Sequence, residues 1–375
     1  MTHRRPAVLL APDKFKGSLD AEGVAAALER GLREVRPGVD VVRQPIADGG
    51  DGTVDALVAA GYERRTVSAT GPTGEAVTAS WAHRDGTAVV ELADACGLNR
   101  LSGPLAPLDA SSRGLGDVVR DALDAKADRI VMGLGGSAST DGGAGLLVAL
   151  GAVLRDADGH PLEPSGRHLA DVAAADLTGL HPRCREVEFV VASDVDNPLV
   201  GPRGAAAVFA PQKGASPSDV AFLERGLRHW ADVLAVTAGN DARDVPGAGA
   251  AGGVGFAALT VLGAVARSGI DLVLEIVDLD QHLEHVDLVV TGEGSLDEQT
   301  LGGKAPAGVA AAARRFGVPT VAVCGRCEVD ETQWVAAGFH DVLALSSLEP
   351  DPARSMRDAA ALLERLGQRL AARLS

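Results

Sequence analysis

Val131-Met-Gly-Leu-Gly-Gly-Ser-Ala-Ser-Thr-Asp-Gly-Gly-Ala-Gly145 is the stretch on which the reading of the fold turns. An apolar run, Ile130 to Met132, feeds a glycine turn bearing hydroxyls and one carboxylate, and a Leu/Val/Ala pattern of helical period follows. Strand, bare-backbone turn and helix start form the unit by which α/β proteins hold an anion. Glycines let backbone N–H groups approach the ligand, and the helix N-terminus adds a favourable dipole. Ser137, Ser139, Thr140 and Asp141 supply groups for a hydroxyl or a hydrated metal ion. The segment predicts a phosphate or polyol site.

The texture around it alternates. Ala7–Ala11 and Val39–Ile46 read as strands, Leu19–Val35 as an amphipathic helix, and a helix runs to Ala60 after Ala47-Asp-Gly-Gly-Asp-Gly-Thr53. From Arg64 to Ala93, short Val/Thr/Ala runs broken by Gly-Pro, Thr-Gly and Asp-Gly predict antiparallel hairpins. Helices are expected over 112–125, 140–154, 218–237 and 253–267, strands over 129–134 and 188–192, and an exposed loop over 156–168. Beyond His285 a regular alternation returns: strands 286–291, 318–323 and 341–345, helices 304–315, 330–337 and 354–373. The expected architecture is α/β. Residues 1–66 and 286–375 would form a Rossmann-like parallel-sheet domain, and residues 67–285 an inserted α/β domain, with ligands in the cleft between them at the carboxyl ends of strands.

Composition excludes whole classes. The 375 residues suggest roughly two to three domains. With 46 glycines and 3% aromatics, packing must come from Ala, Val and Leu. A net charge of −16 argues against nucleic acid or an anionic membrane as partner. Pro246 to Ala266 holds no charge, yet its first half is Gly-Ala-Gly-Ala-Ala-Gly-Gly, which has little apolar surface to favour insertion. It reads as a glycine turn followed by a buried helix. The four scattered cysteines, Cys96, Cys184, Cys324 and Cys327, form no disulfide framework. Met1 to Arg5 leads straight into a strand-like run, so no signal peptide is expected and a cytoplasmic monomer or homodimer fits.

Of 35 basic residues only five are lysines: Lys14, Lys16, Lys126, Lys213 and Lys304. Lys126 reads as an exposed helix residue. The other four sit in Gly- or Pro-marked turns, where a compact ammonium suits phosphate or carboxylate. Carboxylates gather at predicted strand ends: Asp13, Asp48, Asp51, Asp141, Asp194, and Glu293 and Asp297 within Thr291-Gly-Glu-Gly-Ser-Leu-Asp297. Each alone suits a turn or helix cap. Together, lysines, bare N–H groups and carboxylates for Mg²⁺ are what phosphoryl transfer requires.

Standard motifs are missing. No glycine stands at position 298 before Gly303-Lys304, so there is no Walker A sequence. Gly247-Ala-Gly-Ala-Ala-Gly252 matches G-x-G-x-x-G but follows no strand, which leaves nicotinamide binding a poor alternative. Cys324-Gly-Arg-Cys327 has no second pair to complete a zinc site, and no G-x-S-x-G elbow marks a hydrolase. A non-catalytic sugar-acid sensor would need a DNA-binding segment, and none is evident.

In order along the chain stand Ala11-Pro-Asp-Lys-Phe-Lys-Gly-Ser-Leu19, Ala47-Asp-Gly-Gly-Asp-Gly-Thr53, Ser112-Arg-Gly114, the Gly133–Gly145 turn, Ser193-Asp-Val-Asp-Asn-Pro-Leu-Val-Gly201, Phe209-Ala-Pro-Gln-Lys-Gly-Ala215, Val245-Pro-Gly-Ala-Gly-Ala-Ala-Gly-Gly253 and Thr291–Asp297 with Gly303-Lys304. In these blocks the chain resembles the glycerate kinases related to the bacterial enzymes of glyoxylate and galactarate metabolism. The resemblance implies ATP-dependent, Mg²⁺-assisted phosphorylation of D-glycerate, with 2-phosphoglycerate favoured over 3-phosphoglycerate as product. Three positions depart from the family pattern: Lys14 for a frequent Ser, Ser295 for a longer polar residue, and Thr140 for an expected Asn.

On that basis Asp194 is the expected base, with Lys16 beside it in the catalytic set. Lys14, Asp48, Arg113, Ser137, Asp141 and Asn197 are expected at the substrate; Arg113 could grip its carboxylate bidentately. Gly135, Gly136, Gly247, Gly249, Gly252, Gly253 and Lys304 are assigned to phosphates, and Asp48, Glu293 and Asp297 to the metal.

Overall fold

A computed structural model describes residues 5–374. The stretch on which the absence of a signal peptide was read lies largely in residues 1–4, outside the described residues. The strands, in chain order, are β1 (Ala7–Pro12), β2 (Asp40–Arg43), β3 (Glu63–Thr70), β4 (Ala76–Arg84), β5 (Thr87–Glu91), β6 (Arg129–Gly133), β7 (Val153–Arg155), β8 (Ala174–Asp176), β9 (Glu188–Ala192), β10 (Val265–Arg267), β11 (Leu288–Leu296), β12 (Thr320–Cys327) and β13 (Asp341–Ala344). The chain divides into two compact units: one of residues 1–48, 55–61 and 270–375, the other of residues 49–54 and 62–269.

The first unit is a doubly wound parallel sheet in the order β13-β12-β11-β1-β2. Ranked within the unit, this is the order 2-1-3-4-5, whose direction reverses between β1 and β11. Ligands of such sheets bind outside the carboxyl ends of the strands at that switch point. Alternate residues of the strands face opposite sides. Val8, Leu10, Val290, Val323 and Leu343 pack against helices Ala21–Val35 and Ala359–Arg373, while Ala322 and Cys324 join a separate cluster with Ala310 and Phe339.

Helices Ala21–Val35 and Ala359–Arg373 cross at Gly31 and Gly367. A Cβ on Gly31 would lie 1.9 Å from the Glu364 carbonyl, and one on Gly367 would lie 2.4 Å from that of Leu28. Bare backbone is what allows this approach. The apolar stripe Val24, Leu28, Leu32 then buries fully against Leu363, Leu366 and Leu370, at roughly 1.5–3 kcal/mol per side chain.

The second unit carries a six-stranded sheet, β10-β9-β6-β5-β4-β3, parallel except where β4 runs antiparallel to its two neighbours. The predicted hairpins are β3, β4 and β5. Trp81, Val90, Met132 and Phe189 pack against Leu115, Val119 and Leu123 of helix Arg113–Asp124. Helix Pro217–Ala238 builds a further core around Trp230, with Leu147, Leu199 and Phe256.

Several expected elements differ. The helix expected over 140–154 is only Ala144–Ala149, because Gly142 and Gly143 (φ 62° and 73°) hold left-handed conformations before it and Gly151 (φ 115°) stops it. The helix expected over 253–267 ends at Val261; Gly263 (φ 63°) breaks it, and Val265–Arg267 becomes the edge strand β10 beside β9. The last helix divides at Asp358 into Pro352–Arg357 and Ala359–Arg373. Lys126 lies just past its helix, in a left-handed turn (φ 64°). Strand β11 runs on to Leu296, so Glu293 lies on the strand rather than after it; pairing with β12 extends to Leu296 and Cys327. Among the described residues, no helix is long and apolar enough to cross a membrane.

Gly31→Ala tests the helix crossing. On an isolated helix the change gains about 1 kcal/mol; here it is expected to cost roughly 2 kcal/mol through overpacking, read as a lower urea midpoint. A higher midpoint would refute the close approach.

Candidate functional site

Asp13 stands just past β1, at the switch point of the first unit. Its N–H donates to the Gly292 carbonyl of β11 at 2.8 Å, and its Oδ1 accepts the Lys14 N–H at 2.6 Å. Burial, then the negative charge of Asp48, pushes its carboxyl up to about 7 against the opposing pull of Lys14; Glu293 adds to the push. Burial also raises the Glu293 carboxyl, while a 2.5 Å hydrogen bond from Thr300 Oγ1 and the charge of Lys304 oppose this. Lys304 is the N-cap residue of helix Ala305–Arg315. The structure thus brings Asp13, Asp48, Glu293, Lys14 and Lys304 into one electrostatic group, which Asp297 joins through Glu293 and Lys304.

Asp297 is differently employed. Its Oδ1 accepts the Thr300 N–H at 2.9 Å in a reciprocal capping box on helix Glu298–Leu301, which holds its carboxyl below the usual range. Lys16 is exposed in the turn closed by Phe15 N–H to the Leu19 carbonyl at 2.8 Å. Cys324 is buried, its thiol raised by burial, and the Cys327 thiol donates to the Val329 carbonyl at 3.3 Å; both serve the packing around β12.

In the second unit, the turn after β6 exposes Gly135 and Gly136 and then sinks into the protein. Ser137 is 5% exposed, and Ser139, Thr140 and Asp141 are fully buried. Asp141 Oδ2 accepts Ser112 N–H (2.7 Å), Ser112 Oγ (2.8 Å), Gly145 N–H (3.1 Å) and Ser111 Oγ (3.3 Å), while Oδ1 accepts Gly143 N–H (3.2 Å). That enclosure corrects its reading as a substrate ligand. The carboxylate ties the glycine turn to Ser111–Ser112 and hence to Arg113, the first residue of helix Arg113–Asp124. Arg113 itself has a side chain 41% exposed, with Glu163 at 4.0 Å.

The Gly247–Gly253 segment also differs from an open phosphate cradle. Gly247, Gly249, Gly252 and Gly253 are all buried. A Cβ on Gly252 would fall 2.2 Å from the Ser139 carbonyl, and the Gly252 carbonyl accepts the Gly142 N–H at 3.0 Å. These glycines let one loop lie backbone-to-backbone on the other. Between them Ala251 is left-handed (φ 52°, ψ 40°), a conformation that is uncommon for a residue with a Cβ. Trp230 holds the same turn from inside, its indole N–H donating to the Gly142 carbonyl at 3.0 Å.

Beyond β9, Asp194 is exposed and Asn197 half-buried. Asp194 Oδ1 accepts the Gly269 N–H at 2.9 Å, and Asn197 Nδ2 donates to the Arg203 carbonyl at 2.7 Å.

One buried group, Glu91, escaped the sequence reading, and another, Lys213, was misread. Asp13 was visible only as one strand-end acid among several. Glu91, at the end of β5, accepts the N–H groups of Gly52 (3.2 Å) and Val54; burial pushes its carboxyl up to about 7. It braces the Asp-Gly-Gly-Asp-Gly-Thr turn, and nothing local in its sequence marked it. Lys213, expected to contact phosphate or carboxylate, is buried instead, its ammonium donating to the Ser139 carbonyl.

Comparison with known proteins identifies the family. The glycerate kinase family model matches residues 8–375. The chain is 44% identical over 372 residues to a glycerate kinase of Bacillus subtilis (strain 168), covering 97% of each protein. It is 45% identical over 323 residues to the glycerate 2-kinase of Escherichia coli (strain K12), covering 85% of this chain and 84% of that one. A crystal structure of a putative glycerate kinase 2 from Salmonella typhimurium LT2 superposes with a TM-score of 0.86 at 38% identity, covering 98% of both chains. The chain belongs to the glycerate kinase family.

Proposed function

We propose that this kinase transfers the γ-phosphoryl group of ATP to the 2-hydroxyl of D-glycerate, giving 2-phosphoglycerate and ADP with Mg²⁺. The observation that carries the phosphoryl-transfer reading is the group of coupled carboxylates and lysines at the switch point of the parallel sheet. The similarity to the Escherichia coli glycerate 2-kinase favours the 2-hydroxyl.

The carboxylate group suits Mg²⁺. Its donors are hard oxygens, and a divalent cation would offset both the burial and the neighbouring negative charge that raise Asp13. In this proposal Asp13, Asp48 and Glu293 hold the ion, and Asp297 is left to cap its helix. When bound, the ion neutralises charge on the transferring phosphoryl group. Lys304, at its helix N-terminus, takes a phosphate of ATP. Lys14 and Lys16 supply further positive charge. In the second unit, Arg113 grips the glycerate carboxylate, and Ser137 and Asn197 orient its hydroxyls. The exposed Gly135–Gly136 backbone offers N–H groups to an oxyanion. Asp194 accepts the hydroxyl proton, one of its oxygens being fixed by Gly269.

Phosphorus NMR after incubation with ATP, Mg²⁺ and D-glycerate is expected to show 2-phosphoglycerate; the 3-isomer would overturn the regiochemistry. Chelation with EDTA is expected to abolish turnover and added Mg²⁺ to restore it. Asp194→Asn is expected to lower kcat by roughly 10²-fold or more with nucleotide binding retained, and near-normal turnover would remove it as base. Lys304→Met is expected to raise the KM for ATP about tenfold, the loss of one charge-assisted hydrogen bond. An unchanged KM would exclude the phosphate contact.

A further inference from the structure

Lys213 is 2% exposed, which is rare for a lysine. It ends the turn Pro211–Lys213, and Gly214 (φ 93°) redirects the chain behind it. Its side chain reaches inward to the Ser139 carbonyl, 74 residues away. Burial lowers its ammonium to about 8, and the enclosed Asp141 carboxylate opposes that fall.

The same carbonyl is the partner of Ser137. Ser137 Oγ accepts the Ser139 N–H at 3.2 Å, and it lies 3.3 Å from the Ser139 carbonyl, 3.3 Å from Ser139 Oγ and 3.5 Å from the Ala251 carbonyl. The last three contacts, those open to its own proton, are at or beyond the long end of hydroxyl hydrogen bonding. A charge-assisted bond from an ammonium outcompetes a neutral hydroxyl for a shared acceptor. An ammonium also suits this slot better than the guanidinium this chain uses at 30 of its 35 basic positions, because a single enclosed carbonyl offers nothing to a planar fork.

We infer that Lys213 is a positioning residue: its ammonium takes the stronger bond to the Ser139 carbonyl from the interior and leaves the Ser137 hydroxyl in a long, exchangeable one, ready to donate to a substrate oxygen. This rests on the reading of Ser137 as a glycerate ligand. Without the ammonium, the Ser137 hydroxyl would turn to the Ser139 carbonyl and be withdrawn from the substrate.

A double-mutant cycle on Ser137 and Lys213 in the full-length enzyme, read in kcat and in the KM for D-glycerate, tests it. Ser137→Ala alone is expected to raise that KM roughly fivefold, the loss of one hydrogen bond. Lys213→Met is expected to raise it by at least as much. Adding Ser137→Ala to Lys213→Met should then change it less than about twofold, since the two act through one contact. If the effects multiply instead, Lys213 supports the fold alone and the inference fails. A silent Ser137→Ala overturns the reading of Ser137 as a ligand and takes the inference with it, so the two failures are distinguishable. Should Lys213→Met yield no folded protein by circular dichroism, the same cycle is run with Lys213→Gln, whose neutral amide fills the slot without the charge. Multiplicative effects there carry the same refutation.

Discussion

The parallel pairing of β1 with β11 is the constraint on which the first unit depends. Val8 faces Leu288, and the register runs to Pro12 and Gly292. Thr291 Oγ1 reinforces it with a 2.8 Å bond to the Ala11 carbonyl, 280 residues away in sequence. Loop-closure entropy grows only logarithmically with length, so the long intervening excursion is tolerated once the ladder forms. That pairing sets Asp13 beside Gly292 and next in the sheet to Glu293. It also creates the strand-order reversal at which α/β sheets bind ligands.

Buried acids in the two units have different surroundings. In the first, burial raises Asp13, and the charges of Asp48 and Glu293 add to the rise against the pull of Lys14. A buried acid raised by burial and by specific charged neighbours marks a candidate functional site. In the second, burial also raises Asp141, but its carboxyl accepts five hydrogen bonds and a buried lysine lies within reach of its charge. A satisfied buried network rigidifies what it holds, here the glycine turn and the start of helix Arg113–Asp124.

The α/β class, the hairpins β3–β5 and most of the terminal alternation were legible because hydrophobic period is a local signal. Helix lengths were misjudged where glycine adopts positive φ, as at Gly143 and Gly263, since sequence does not disclose the sign of a glycine's φ. The site residues divide on the same ground. Motif and resemblance picked out Asp194, Arg113 and Lys304 as candidates. They could not tell an exposed carboxylate from an enclosed one, so Asp141 was read as a ligand. Glu91 and Lys213 act through partners 37 to 74 residues distant, and no window of sequence displays such pairs.

By itself, the sequence determined which residue types occur in which turns, the periodicity of the elements that flank them, and the resemblance that these blocks carry in their order. Burial, charge coupling and the direction of each side chain were decided only by tertiary structure. They arise from contacts between segments far apart in the chain. Gly252 illustrates the division. Sequence marks it as a glycine in a glycine-rich turn, and only the fold shows that the Ser139 carbonyl fills the space a side chain would need.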